Sequence, residues 1–159
     1  MRVLAPHAEG VAAAWNDDGV EVQSFRYAPE RLEVLGYSRS LSADETVRGT
    51  AGAVAPFDAL AARFALSAEC KRQEYDLVHA HWVVPNGIVA GLAGVEAPLA
   101  VGLHGSDVFM AEKPLFRPWV RKALRQAGLV TGCSPELVER VCKVGFDRSR
   151  AEVIPYGVD

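Results

Sequence analysis

The sequence predicts an α/β fold in which a mostly parallel β-sheet is flanked by helices. Short apolar runs of strand length recur along the chain, and segments with helical spacing lie between them. Such alternation implies right-handed crossovers and parallel pairing. The chain has 159 residues, half of them hydrophobic and 23% charged, an ordinary globular mix with enough apolar material to build a core. That length corresponds to a single domain over residues 1–159.

The elements follow in order. Residues 1–5 read as a short strand. Asn16-Asp17-Asp18-Gly19 is a turn signal, because Asn, Asp and Gly tolerate the backbone angles of tight turns. Gly19 to Tyr27 alternates apolar and polar residues, the mark of a strand with one buried face. Residues 30–55 are weakly patterned and read as loop with short helical pieces. Pro56 opens a helix whose Phe57, Leu60, Ala61, Phe64, Ala65 and Ala68 form one apolar stripe. Leu77 to Trp82 is a short buried-type strand, and Pro85-Asn86-Gly87 starts a small-residue helix from Ile88 to Gly94. Leu99 to Leu103 is the next strand, ending in His104-Gly105-Ser106-Asp107. Pro118 begins an amphipathic helix with Trp119, Val120, Ala123 and Leu124 on one side and Arg117, Arg121, Lys122 and Arg125 elsewhere; Gly128 stops it. Leu129 to Cys133 is a strand. Ser134-Pro135-Glu136 is a helix start, with a Ser cap, Pro at the first position and an acid at the positive end. That helix runs to Lys143 and stops at Gly145. Glu152 to Pro155 is the last strand.

Composition excludes several classes. Lys plus Arg number 17 against 20 for Asp plus Glu, and the formal charge is −3. This is not the balance of a general nucleic-acid binder. The length is too short for a complete (β/α)₈ barrel. The cysteines, Cys70, Cys133 and Cys142, are odd in number without C-x-x-C spacing, which points to reduced thiols rather than a disulfide framework or zinc knuckle. Met1 to His7, a short apolar run broken by Pro6, does not read as the apolar core of a signal peptide, and prolines, glycines and histidines interrupt the longest weakly charged stretch, residues 77–103. The expected setting is cytoplasmic, with room for peripheral membrane contact through an amphipathic helix.

In parallel α/β sheets, ligands bind outside the carboxyl ends of the strands. The candidate chemistry therefore follows Trp82, Leu103, Cys133 and Pro155. His79 and His81 lie two apart on one strand and face the same side, and His104 ends the next. One reading is a metal site of His79, His81, His104 and Asp107. The other is a polar strand end, in which His79 packs in the core while His81 and His104 reach a cleft. Gly105 lets a ligand or backbone approach closely. Ser106 and Asp107 offer partners for sugar-type hydroxyls, or Asp107 caps the next turn and touches no ligand. The arginines of 117–125 form either a solvated helix face or a site for phosphates on a substrate or an acidic lipid surface.

Tyr75-Asp76-Leu77-Val78-His79-Ala80-His81-Trp82, then Pro85-Asn86-Gly87, Leu103-His104-Gly105-Ser106-Asp107, Cys133-Ser134 before a helix, and Val153-Ile154-Pro155-Tyr156-Gly157-Val158-Asp159 form an ordered set. Together they resemble the N-terminal domain of family-4-type glycosyltransferases of the GT-B fold. Phe25 to Pro29 with Leu35-Gly36-Tyr37 is more weakly similar. The resemblance implies a Rossmann-like domain that binds mainly the acceptor, facing a second domain that binds a nucleotide-sugar donor. Transfer would proceed with retention at the anomeric carbon and usually without a required metal. His104 matches the cleft histidine near the reaction centre and is the expected catalytic residue. An imidazole at a strand end can hydrogen-bond a sugar hydroxyl and sit by developing charge. His81, Trp82, Asn86, Gly105, Ser106, Asp107, Ser134 and Gly157 lie in or beside these motifs and are the expected substrate-binding residues. Tyr156 stands where the family often has Asn.

Two departures accompany the resemblance. The family's usual first strand, glycine-rich loop and helix have no counterpart before Met1, so the strands would close up or another chain, or a second copy, would fill the gap. The donor domain would begin where the sequence stops. The expected function is the acceptor-side half of a retaining glycosyltransferase, inactive alone, with no cofactor beyond the nucleotide-sugar co-substrate. The alternatives are a non-catalytic binding or assembly module on the same fold, and a metal-dependent hydrolase.

Overall fold

The computed structural model describes residues 1–35 and 45–157. Gly36 and Tyr37 of the weaker resemblance, and Val158 and Asp159, lie outside the described residues. The chain divides into two compact units, Met1–Ala68 and Glu69–Asp159.

In the first unit, β1 (Arg2–Pro6) pairs in parallel with β3 (Val20–Phe25), and β2 (Ala14–Asp17) pairs antiparallel on the other side of β3. The predicted turn joins β2 to β3. Asp18 and Gly19 both have positive φ, and Asn16 Oδ1 accepts the Gly19 amide at 2.9 Å, the geometry that suits a tight hairpin. Strand β2 itself is a correction to the sequence reading. All four of its residues are exposed, so no alternation marks it. Past the carboxyl ends of β1 and β3, His7 Nδ1 meets Glu33 Oε2 at 2.6 Å, and Glu33 Oε1 accepts the Tyr27 amide. Burial opposes the Glu33 charge, yet the bonds from His7 and Tyr27 and the Arg26 guanidinium hold its carboxyl below the usual range.

Helix α1 runs from Glu45 to Arg72, so it begins within the stretch read as loop, and Pro56 lies inside it rather than opening it. The expected apolar stripe is also corrected. Phe57, Leu60 and Phe64 are 61%, 48% and 63% exposed, whereas Val54 and Asp58 are buried. The helix turns a face of Val54, Asp58 and half-buried alanines inward. An alanine-rich helix offers apolar spacing on more than one face, and periodicity alone does not choose between them.

The second unit holds a parallel sheet in the order β4-β5-β6-β7: Val78–His81, Leu99–Leu103, Ala127–Gly132 and Ala151–Val153. Helices α2 (Ile88–Leu92), α3 (Ser106–Ala111), α4 (Arg117–Leu124) and α5 (Pro135–Val144) connect the strands. Leu103, Val101, Val108, Val120, Leu124, Val130, Val138 and Val141 are almost fully buried, each contributing about 1.5–3 kcal/mol of transfer free energy. A Cβ built on Gly91 would lie 2.6 Å from Ala123 Cα, so only glycine lets α2 and α4 approach this closely. As read from sequence, Ser134 caps α5 by accepting the Leu137 amide, and Gly145 ends it at φ +124. Gly128 is not the stop of α4; it lies within β6.

Among the described residues, no helix is long and apolar enough to cross a membrane.

Candidate functional site

The carboxyl ends of all four parallel strands converge within the second unit. His104, just past β5, stands at the centre. Its Nε2 shares a hydrogen bond with His81 Nδ1 at 3.1 Å, and its Nδ1 shares one with the Tyr156 hydroxyl at 2.7 Å. Two tautomer sets satisfy both contacts: Tyr156 donates to Nδ1 while Nε2–H donates to His81, or Nδ1–H donates to Tyr156 while Nε2 accepts from His81. Cys133, past β6, neighbours Tyr156, whose phenol is pushed up by burial and by this thiol. The ring of Trp82, past β4, meets His104 edge-on with centroids 6.2 Å apart.

Gly102 underlies the cluster. It pairs with His81 across the β4–β5 ladder, and a Cβ there would lie 3.2 Å from His79 Nε2, 3.6 Å from His104 Nε2 and 3.8 Å from His81 Nδ1. Three imidazoles thus lean over one missing side chain. His79 is exposed rather than packed in the core, and its ring stacks near His81 with centroids 4.3 Å apart. Burial first, and then the neighbouring imidazoles, push the His79 ring below the usual histidine range. His104 is lowered by burial and by His81, against an opposing pull from Asp107. These surroundings favour the neutral form of both rings.

Two backbone features set this geometry. Trp82 has φ +72, a left-handed conformation that costs a large side chain about 1–3 kcal/mol. It is held by its amide bonding Gly102 O and its carbonyl accepting the Gly87 amide. Asp107 is 2% exposed. Its Oδ2 accepts the Val83 amide at 2.7 Å, and its Oδ1 accepts the His104 and Gly105 amides at 3.1 and 2.8 Å. Of the two readings of Asp107, the geometry takes the capping one: the carboxylate is spent on backbone and not presented to a ligand.

The other candidates occupy varied positions. Asn86 is exposed and donates to the His81 carbonyl at 2.9 Å. Gly105 has φ +118 with open space where a side chain would stand, and Ser106 is exposed beside it. Ser134 Oγ is engaged in the α5 cap. Gly157 is exposed with nothing near it. Among the described residues, no group of three or more His, Cys, Asp or Glu side chains is placed to hold a metal. Tyr156, Cys133 and Gly102 were not among the candidates. Tyr156 carried a signal, as the aromatic where the family often has Asn, whereas Gly102 was indistinguishable from any strand glycine.

A family model described as Glycosyltransferase Family 4 matches residues 4–159. The chain belongs to glycosyltransferase family 4. Among curated proteins, it is 36% identical over 89 residues to the putative teichuronic acid biosynthesis glycosyltransferase TuaC of Bacillus subtilis (strain 168), covering 52% of this chain and 22% of that protein. It is 32% identical over 89 residues to N-acetyl-alpha-D-glucosaminyl L-malate synthase of Bacillus anthracis, covering 52% of this chain and 23% of that protein. The matches thus cover under a quarter of these relatives' length. Among solved structures, sucrose-phosphate synthase from Thermosynechococcus elongatus superposes with a TM-score of 0.61 at 14% identity, over 99% of this chain and 76% of that one. That likeness concerns the fold. The family 4 domain here has the Rossmann-like, parallel-sheet architecture of a GT-B N-terminal domain.

Proposed function

We propose that this domain is the acceptor side of a retaining glycosyltransferase, with His104 at the reaction centre and a nucleotide-sugar donor supplied by the second domain of a GT-B pair. The observation that supports it most is the placement of His104: a neutral imidazole at the meeting point of four strand ends, oriented from both sides by Tyr156 and His81. In the transfer, the bond from the sugar's anomeric carbon to the nucleotide diphosphate breaks, and the acceptor hydroxyl forms the new glycosidic bond. The acceptor proton leaves with the diphosphate. A sugar hydroxyl arriving at His104 Nε2 takes the place of the exposed His81 ring. The imidazole is then held by Tyr156 alone, where a preorganised dipole acts on developing charge. Trp82, Asn86, Gly105 and Ser106 border the position such a sugar would occupy. Asp107 and Ser134 act by holding the turns.

Acceptor sugars titrated into the chain should perturb the His81, His104 and Trp82 side-chain resonances, and His104→Ala should remove the response. The isolated chain should not turn over a nucleotide sugar. Multiple turnovers by the pure chain would refute the division of labour, and a sugar response unaffected by His104→Ala would refute the site.

A further inference from the structure

The His104 atom assigned to a sugar hydroxyl, Nε2, is already occupied. His81 Nδ1 lies 3.1 Å from it. The two rings meet across the β4–β5 ladder above Gly102, whose missing side chain leaves them the space. The backbone of His81 is clamped while its ring is not. Its carbonyl accepts from Asn86 Nδ2 at 2.9 Å, and the next amide, that of Trp82, donates to Gly102 O at 2.8 Å. The residue itself is exposed, and its ring is bordered by His79 and His104, with centroids 4.3 and 5.2 Å away. An exposed side chain on a fixed backbone changes rotamer on the ps–ns timescale, so His81 can leave His104 without disturbing the strand.

We infer that His81 is a latch on His104, closed on Nε2 in the free chain and displaced by a ligand that offers this nitrogen a hydroxyl. The identity of that ligand rests on the sugar-transfer reading; the latch regulates the same site. Either tautomer of His104 closes it, because His81 Nδ1 can accept or donate. A hydroxyl does both as well, so it replaces His81 whichever tautomer is present. A carbonyl oxygen or an ammonium group matches one tautomer alone. The latch thus favours polyols such as a pyranose. A ligand must also displace a bond already made, which lowers its apparent affinity by the fraction of chains with the latch open. For one exposed hydrogen bond this amounts to about two- to tenfold. His81 is a positioning residue, since it acts on the sugar through His104.

The test is carbethoxylation of the full chain by diethyl pyrocarbonate, which attacks neutral imidazole nitrogens, with each histidine mapped by mass spectrometry. Exposed His79 and buried His7 are internal references for fast and slow reaction. In the parent, His104 should react several-fold more slowly than His79. His81→Ala should bring His104 close to the His79 rate, and His81→Asn, whose amide stands where Nδ1 stood, should restore the protection. Nitrogen-15 NMR of the parent should find the same tautomer on both rings, because a proton on His104 Nε2 requires a bare His81 Nδ1, and the reverse. Methyl α-D-glucopyranoside should bind His81→Ala about two- to tenfold more tightly than the parent. If His81→Ala loses its fold, shown by rapid modification of His7, the parent's protection and tautomer pair decide. His104 as reactive as His79 in the parent, no acceleration in a folded His81→Ala, equal acceleration in His81→Asn, or opposite tautomers on the two parent rings would each overturn the latch. Acceleration in His81→Ala with no glucoside response in either chain would uphold the latch and count against the sugar-transfer reading instead.

Discussion

Asp107 accepts the Val83 amide at 2.7 Å, so one buried acid joins the turn after β4 to the turn after β5. The same carboxylate holds the His104 and Gly105 amides. The orientation of His104 is thus set from beneath by Asp107, while Tyr156 and His81 set it from the ring side.

Asp107→Ala leaves three amide donors without their acceptor, and the Val83 donor is buried. An orphaned buried group costs about 1–3 kcal/mol. The urea midpoint should fall clearly, and Asp107→Asn, which keeps one acceptor oxygen, should fall between. An alanine variant as stable as the parent would show that the bridge carries no weight.

Gly102→Ala places a methyl group 3.2 Å from His79 Nε2. The obstacle is the far end of a flexible side chain rather than backbone, so unfolding stability should change by less than about 1 kcal/mol. The imidazole resonances of His79 and His104 should nevertheless move. Unchanged resonances would mean that the rings do not rest over this glycine.

His79 and His104 are both lowered from the ordinary histidine value, mainly by burial. Below about pH 6.5 the unfolded chain takes up protons that the folded chain still refuses. Stability contributed by these two rings is therefore present above that pH and is lost as pH falls toward their folded values. Proton-detected NMR titration should find both midpoints below 6.5, and thermal denaturation should show the loss on acidification. A His104 midpoint above 6.5 would contradict the neutral ring proposed for sugar binding.

Asp58 sits on the inward face of α1 with its Oδ1 unpartnered, and burial pushes its carboxyl up to about 6. Between about pH 3.9 and that value the folded chain retains a proton that the unfolded chain has released. Stability therefore declines as pH rises through the window. Asp58→Asn should be more stable than the parent at pH 7.5, and the gap should close below about pH 4. Equal melting temperatures at pH 7.5 would place Asp58 in a better-solvated setting.

Much of the second unit was legible in the chain. Leu99 to Leu103 is an apolar run of strand length restarted by Ala97-Pro98, and it forms β5, buried at every position. The cap of Ser134, with Pro135 and Gly145, marks α5 at both ends. The first unit was harder to read. Strand β2 has no buried residue to betray it, and α1 carries apolar side chains on the face that it leaves exposed. Local pattern reports what a segment can bury, not which side the rest of the protein covers.

By itself the sequence determined the strand–helix alternation, the family motifs and the histidines at the strand ends, because these rest on short-range spacing. Only the tertiary structure decided that Asp107 holds backbone, that Tyr156 orients His104 and that Gly102 makes room for three imidazoles. These relations depend on which strands lie side by side. Contact between residues as distant in sequence as His104 and Tyr156 is created by strand order and register, which no local pattern encodes.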